Sequence, residues 1–284
     1  MATEASLLLA VFFLGTNPVA VKFAVGEVPP LPFVALRFTL AGLLLLGLVR
    51  VLSQEDLPGR RDLASMVGVG LLGVGLNNVA FTLGVSLTTA SETALIYAAV
   101  PIWGMILGSF LGLERPTRGS VIGVAVAIVG VVVVVGGGLG GASSLPGDLL
   151  VVVATVCWGS YAVLCLPLLR KYPPLVVASL TMLFAGLGVA LAALPGFLRT
   201  DWGTVGGVAW SAFAYSTVCV AAFGFWVWQR GISGVGANRA LVYQYLVTLV
   251  GVASGVLLLG ESLTIDKMAG GAIILLGVYV ARRR

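Results

Sequence analysis

Residues 94–97 read Ala-Leu-Ile-Tyr, and residues 240–243 read Ala-Leu-Val-Tyr. Read outward from this pair, the chain repeats itself. Gly15-Thr16-Asn17 returns as Gly159-Ser160-Tyr161 and Pro29-Pro30 as Pro173-Pro174, both at a spacing of 144. The 94–97 string returns at 146, and Glu114, Gly123 and Gly130 return at 147 as Glu261, Gly270 and Gly277. So slow a drift in register marks one duplicated unit, with copies at residues 1–140 and 141–284. Each copy holds five apolar stretches. If these cross a membrane, the odd number forces the second copy to enter from the opposite side, which gives two inverted five-helix repeats.

Composition places the stretches in lipid. With 59% hydrophobic residues, 10% charged residues and a mean hydropathy of +1.10, too little polar surface remains for a water-soluble domain. Stretches near the roughly 20 residues that span a bilayer as helix fall at 4–25, 31–50, 63–84, 91–112, 118–136, 147–168, 174–195, 204–229, 234–259 and 267–281. The expected fold is therefore an all-α membrane protein of ten transmembrane helices. A β-barrel would alternate apolar and polar positions, whereas residues 130–136 read GVVVVVG. The first stretch lacks a basic leader and carries Asn17, Pro18 and Lys22, so it reads as a retained span rather than a signal peptide. Cys157, Cys165 and Cys219 lie inside spans without metal-ligand spacing and read as small core residues.

Cations assign orientation. Twelve Lys and Arg residues, among them Arg50, Arg60, Arg61, Arg170, Lys171 and Arg282, fall on the side shared by both termini, and Lys22, Arg37, Arg199 and Lys267 fall on or near the other. Both termini are expected in the cytoplasm. The net charge of +5 then reports topology and contact with anionic lipid, and it gives no reason to invoke nucleic acid. The loops are short, and no Gly-Lys dipeptide occurs, so no phosphate-cradling ATPase loop exists within the chain.

Chemistry has few carriers here. The chain has no His, which removes an imidazole metal ligand or proton relay. Its Asp and Glu residues map to loops or span ends, and Glu92 alone approaches a span from the far side, as a candidate coupling group. No enzyme site, cofactor or metal is expected. Uncharged polar and aromatic groups do reach mid-span depth: Asn17 in span one, Asn77, Asn78 and Phe81 in span three, Tyr97 in span four, Trp158 and Tyr161 in span six, and Tyr243 in span nine. Amides in hydrocarbon need a partner or a wet cavity. These residues either bond across helix contacts or surround a central, electrically neutral chamber, with spans five and ten outside it. Tyr97 and Tyr243 hold matching repeat positions and are the better candidates for the chamber. Pro18 and Pro101 remove backbone donors inside helices and serve as hinges or as static kinks.

The chain resembles the drug/metabolite transporter superfamily of the EamA type. The likeness rests on Leu14-Gly15-Thr16-Asn17, Leu36-Arg37-Phe38, Pro101 and Gly112-Leu113-Glu114 in the first copy, and on Trp158-Gly159, Leu259-Gly260-Glu261 and Leu276-Gly277-Val278 in the second. The charge-poor interior looks most like the YddG group of bacterial aromatic amino acid exporters. The resemblance implies alternating-access export of small zwitterionic metabolites, aromatic and hydrophobic amino acids first, across a bacterial inner membrane. Without His or a mid-span carboxylate the flux is expected to be facilitated, and no obligate protein partner is evident. Small multidrug members carry a glutamate inside their first helix, where this chain has Asn17, and sugar-phosphate members carry basic site residues. Here Lys22 and Arg37 are expected near the far-side surface. Glu114 and Glu261, just before spans five and ten, are expected to stabilise those helix N-termini. The alternative reading is an exporter of another neutral metabolite or drug, with proton coupling.

Overall fold

The computed structural model describes residues 2–52, 58–112, 118–137, 144–235 and 243–282, and among them there is no strand. Ten helical rods follow in chain order. They are α1 (Ala2–Val25), α2 (Pro30–Leu52), α3 (Arg60–Leu87), α4 (Ala90–Phe110), α5 (Arg118–Gly137), α6 (Leu145–Leu169), α7 (Pro174–Arg199), α8 (residues 207–235), α9 (Tyr243–Leu259) and α10 (Ile265–Arg282). Seven of them are long and apolar enough to cross a bilayer, and Val121–Gly137 and Tyr243–Leu259 are shorter apolar helices. Glu114 lies outside the described residues.

Helix is the outcome that hydrocarbon permits, because each backbone group then finds its partner within its own segment. Start signals are local. Pro30 and Pro174 open α2 and α7, where a missing N–H is not needed. Thr89 caps α4 by accepting from the Glu92 backbone N–H, and Ser144 caps α6 by accepting from that of Gly147. Leu191, Leu198, Leu257 and Ile265 point outward and are at least 80% exposed, as residues facing lipid are.

Three departures from plain α-helix border the interior. α3 winds as π-helix over Gly70–Leu76 and α8 over Ser216–Gly224, two stretches at matching places in the repeat. α4 is interrupted at Ala98 and Ala99, between Ala90–Tyr97 and Val100–Phe110. Pro101 supplies the cause, since it cannot donate to the Tyr97 carbonyl. The backbone tightens there into three-residue bonds, Ala98 to Leu95, Ala99 to Ile96 and Ile102 to Ala99. Pro101 thus sits in the first turn of the second half of α4, while Pro18 lies within a continuous α1.

Packing is pairwise. α5 lies against α10 and α2 against α7; α1 contacts α8 and α9; α6 contacts α3 and α4; α3 meets α7, α8 meets α2, and α4 meets α9. Small residues let the paired backbones approach. A Cβ on Gly42 of α2 would come 2.6 Å from the Leu183 nitrogen, and one on Gly130 of α5 2.6 Å from the Ile274 nitrogen. Connections gather at two ends. At one, which we call the far end, Glu27 after α1 accepts from the Gly206 N–H before α8, and Ser144 before α6 donates to the Leu87 carbonyl at the close of α3. At the other, Lys171 and Tyr172 after α6 bond Asp62 at the start of α3.

Gly42→Leu should cost about 1–3 kcal/mol through overpacking and lower the melting temperature in detergent. Gly47→Leu on the same helix, where an added Cβ meets nothing within 4 Å, should leave it unchanged. Equal melting temperatures for the two variants would contradict a close α2–α7 contact.

Candidate functional site

A cavity of about 80 Å³ lies between α1, α2, α3, α4, α6, α8 and α9. Among the described residues, none that lines it comes from α5, α7 or α10. The sequence expectation of a chamber ringed by spans one, three, four, six and nine is extended by α2 and α8.

The α2 contribution changes the chamber's character. Arg37 lines the cavity and is 2% exposed, so it is neither near the far-side surface nor part of a neutral interior. Its depth was countable in the chain: seven residues after Pro30, at 1.5 Å per residue, place it about 10 Å along α2. The guanidinium Nη2 donates to Asn17 Oδ1 at 3.1 Å and Nε to the Ser216 carbonyl at 3.1 Å, and Ser216 Oγ donates to the same Asn17 oxygen at 3.0 Å. Cζ lies 4.9 Å from the Phe38 ring centroid, within cation–π range. Nη1 is buried with no hydrogen-bond partner, and among the described residues Arg37 makes no ion pair. Asn17 therefore serves as the guanidinium's acceptor while lining the cavity itself.

The second amide pair sits across the cavity, directly after the π-helical turn of α3. Asn77 Nδ2 donates to the Tyr97 hydroxyl at 2.9 Å and to the Ala154 carbonyl at 2.7 Å. Asn78 Nδ2 donates to Asn77 Oδ1 and to the Val74 carbonyl, both at 3.0 Å. Both asparagines thus bond across or along helices and also line the cavity. The Tyr97 hydroxyl, as an acceptor from Asn77, keeps its own hydrogen to donate. Gln244 and Thr248 of α9 complete the polar lining, and Thr93 of α4 adds a hydroxyl.

Rings supply the remaining walls. Phe81 meets Tyr97 edge-on at 5.3 Å, and Trp158 meets Phe225 edge-on at 5.2 Å. Tyr161 stands behind Trp158, stacked on it at 5.5 Å and 9°, and is 1% exposed. Its hydroxyl is engaged by Thr181 and by Gln229, so it supports the wall without lining it. Tyr243, the repeat partner of Tyr97, packs against the hydrophobic core next to α1 and α8, and its neighbour Gln244 lines the cavity instead. Pro18 is in the lining and Pro101 is not.

Glu92 lies outside this cavity. It is fully buried at the far end, where Oε2 accepts from Thr88 and Thr89 and lies 3.5 Å from Lys267 Nζ. Asp148, read from sequence as a span-end residue, is 1% exposed beside it. Glu261 also differs from expectation. It accepts from the backbone N–H groups of Ala90 and Ser91, both at 2.8 Å, and so caps α4 rather than the helix that follows it. Burial works against its charge, but these bonds and Lys22 at 3.6 Å outweigh it and hold the carboxyl below its ordinary 4.5.

The profile of the EamA-like transporter family matches this chain twice, over residues 2–136 and 145–283. The chain is 27% identical to a probable amino-acid metabolite efflux pump of Salmonella typhimurium, with 96% of this chain and 92% of that protein covered. It is 30% identical to a probable terminal-alkyne amino-acid exporter of Streptantibioticus cattleyicolor, with 80% and 75% covered. A solved protein structure superimposes with a TM-score of 0.67 at 21% identity, covering 99% of this chain and 97% of its own, which is a likeness of fold.

Glu261→Gln should lower stability at neutral pH by about 1–2 kcal/mol, the scale of a carboxylate at a partly buried helix N-terminus. Because the folded-state value is depressed, this contribution is complete above the ordinary 4.5 and is lost as pH falls through the lower folded value. Melting curves of the two proteins should therefore separate at pH 7 and converge in acid; a gap that persists in acid would assign the effect to packing.

Proposed function

Because this chain belongs to the EamA-like transporter family, we propose that it exports small zwitterionic metabolites, aromatic and hydrophobic amino acids first among them, by alternating access. One observation carries the substrate class: a buried guanidinium faces the cavity with one nitrogen unbonded and, among the described residues, no acidic partner. A buried charge is costly unless it is paired. The missing partner is a carboxylate brought by the substrate, which a guanidinium recognises through short, charge-assisted bonds. Asn17 and Ser216 hold Arg37 in place, so the donor is oriented before substrate arrives.

The opposite wall suits the rest of an amino acid. The ammonium meets only dipoles, from Asn78, Gln244 and Thr93, and the side chain meets Phe81, Tyr97, Trp158 and Phe225. Rings of this kind take an aromatic group edge-on or offset, at about 0.5–1.5 kcal/mol beyond burial. The relatives named as amino-acid exporters support the same class. Tyr161 acts through Trp158, and Tyr243 through the packing of α9.

Alternating access follows from duplication. The family profile matches twice, and the main helix contacts, α1 with α8 and α9 and α2 with α8, recur as α6 with α3 and α4 and α7 with α3 when α1 is exchanged with α6, α2 with α7, α3 with α8 and α4 with α9. We take residues 1–140 and 141–284 as two inverted five-helix units with both termini in the cytoplasm. One unit rocks against the other about the cavity, and Pro18 in its wall and the Pro101 break in α4 provide the bends.

Proteoliposome counterflow tests the reading. Labelled phenylalanine should exchange, and phenethylamine, which lacks the carboxylate, should not compete. Arg37→Gln should raise KM about 10- to 100-fold, the equivalent of one charge-assisted bond of about 1.5–3 kcal/mol, and Trp158→Ala should discriminate against aromatic relative to aliphatic substrates. Competition by the amine as strong as by the amino acid would defeat the assignment.

A further inference from the structure

The far end of the bundle holds ionisable groups that the cavity does not use. Glu92 in the first turn of α4, Asp148 in the first turn of α6 and Lys267 in the first turn of α10 converge, with relative exposures of 0%, 1% and 6%. Thr88, at the close of α3, joins the two carboxyls: its Oγ1 lies 2.6 Å from Asp148 Oδ1 and 3.1 Å from Glu92 Oε2. Lys267 Nζ lies 3.5 Å from that same Glu92 oxygen and 3.4 Å from Thr89 Oγ1.

Hydrogens can be counted here. A threonine hydroxyl has one to give, so it cannot serve both carboxylates. If Asp148 carries a proton on Oδ1, it donates to Thr88, Thr88 donates to Glu92, and both short contacts contain a hydrogen. A second, independent sign is that Asp148 Oδ2 is buried with no hydrogen-bond partner. An ionised carboxylate would leave charge there unsolvated, whereas a neutral carboxyl leaves only a carbonyl.

We propose that Asp148, Thr88 and Glu92 share one exchangeable proton, with Lys267 as the fixed counter-charge, and that this is the coupling-ion site of the carrier. The coupling role rests on the carrier reading above; the proton site does not. The charged groups facing Asp148 are Glu92 from α4 and Lys267 from α10, while the nearby Lys22–Glu261 pair is occupied with itself and with the N-terminus of α4. With the proton in place, α3, α4, α6 and α10 are tied together and the far end is shut. Opening that end draws Thr88 from Asp148, and the proton passes from the Asp148 carboxyl to water on the far side. Reclosure takes one back. On the inner side, Thr93 lines the cavity one turn after Thr89, whose hydroxyl meets Glu92 and Lys267, and its own hydroxyl donates to the Thr89 carbonyl, so the Thr89–Thr93 face of α4 leads from the cluster to the cavity.

Infrared titration of the purified protein reads the proton without any substrate. A buried protonated-carboxyl C=O band should be present at neutral pH, should titrate away in alkali as a single group, and should be absent in Asp148→Asn, whose amide still donates to Thr88. Thr88→Val, which breaks the chain while sparing both acids, should shift the band's midpoint. In proteoliposomes, an imposed proton gradient should drive labelled phenylalanine accumulation in the native protein and lose that power in Asp148→Asn, with counterflow retained. The absence of a protonated-carboxyl band, or its persistence in Asp148→Asn, would overturn the proton site. A titrating band with gradient-independent, or sodium-driven, accumulation would overturn the coupling role. Absence of all phenylalanine exchange, with the band present, would count against the amino acid reading and not against the proton.

Discussion

The guanidinium of Arg37, held inside a lipid-facing bundle by one asparagine oxygen and one backbone carbonyl, constrains more of this molecule than any other single group. Desolvating a cation is tolerable only where acceptors are fixed around it, and two of the acceptors come from elements far apart in sequence. Asn17 arrives on α1, and the Ser216 carbonyl begins the π-helical stretch of α8. That interaction ties α1, α2 and α8 to one wall of the cavity. π-helical turns recur near functional sites in other proteins because they re-aim neighbouring groups. Here one presents the Ser216 carbonyl and the other immediately precedes Asn77 and Asn78.

The two polar centres are organised by opposite rules. In the cavity, a positive charge has no acidic partner among the described residues and dipoles surround it, which suits a ligand that brings its own negative end. At the far end, two carboxyls meet across one threonine hydroxyl, which suits a shared proton. α4 connects them, running from Thr89 and Glu92 through Thr93 to Tyr97 before Pro101 interrupts it. Glycines hold the neighbouring α9 close: a Cβ on Gly251 would come 2.6 Å from that of Ala94, and one on Gly255 2.6 Å from Ser91 Oγ. A movement of α4 against α9 would be felt at both centres.

Several cavity-lining residues were legible in the chain because polarity in a hydrophobic span is rare and conspicuous. Asn17, Asn77, Asn78, Phe81, Tyr97 and Trp158 were singled out on that ground, and all six line one cavity. Tyr161 and Tyr243 were chosen by the same signal and point elsewhere, because depth along a span says nothing about rotation around it. Arg37 was misplaced for a different reason. In a sequence, a cation seven residues from a helix start marks a side of the membrane, and only the neighbours that surround it in space reveal its depth. Asp148 and Lys267 were read as span-end groups, which they are by position, and their burial arises only from the convergence of α3, α4, α6 and α10.

Sequence by itself determined the class of solvent, the helical state, the approximate limits of the helices and the duplication, since these depend on apolar length and on identity at a fixed spacing. Both are one-dimensional quantities. Tertiary structure alone decided which face of each helix looks inward, that Glu261 caps α4, and that an arginine in the cavity wall and a buried cluster of Glu92, Asp148 and Lys267 occupy separate places in one bundle. The reason is physical: a helix apolar on every side buries one face as readily as another, so only contact with its neighbours breaks the tie.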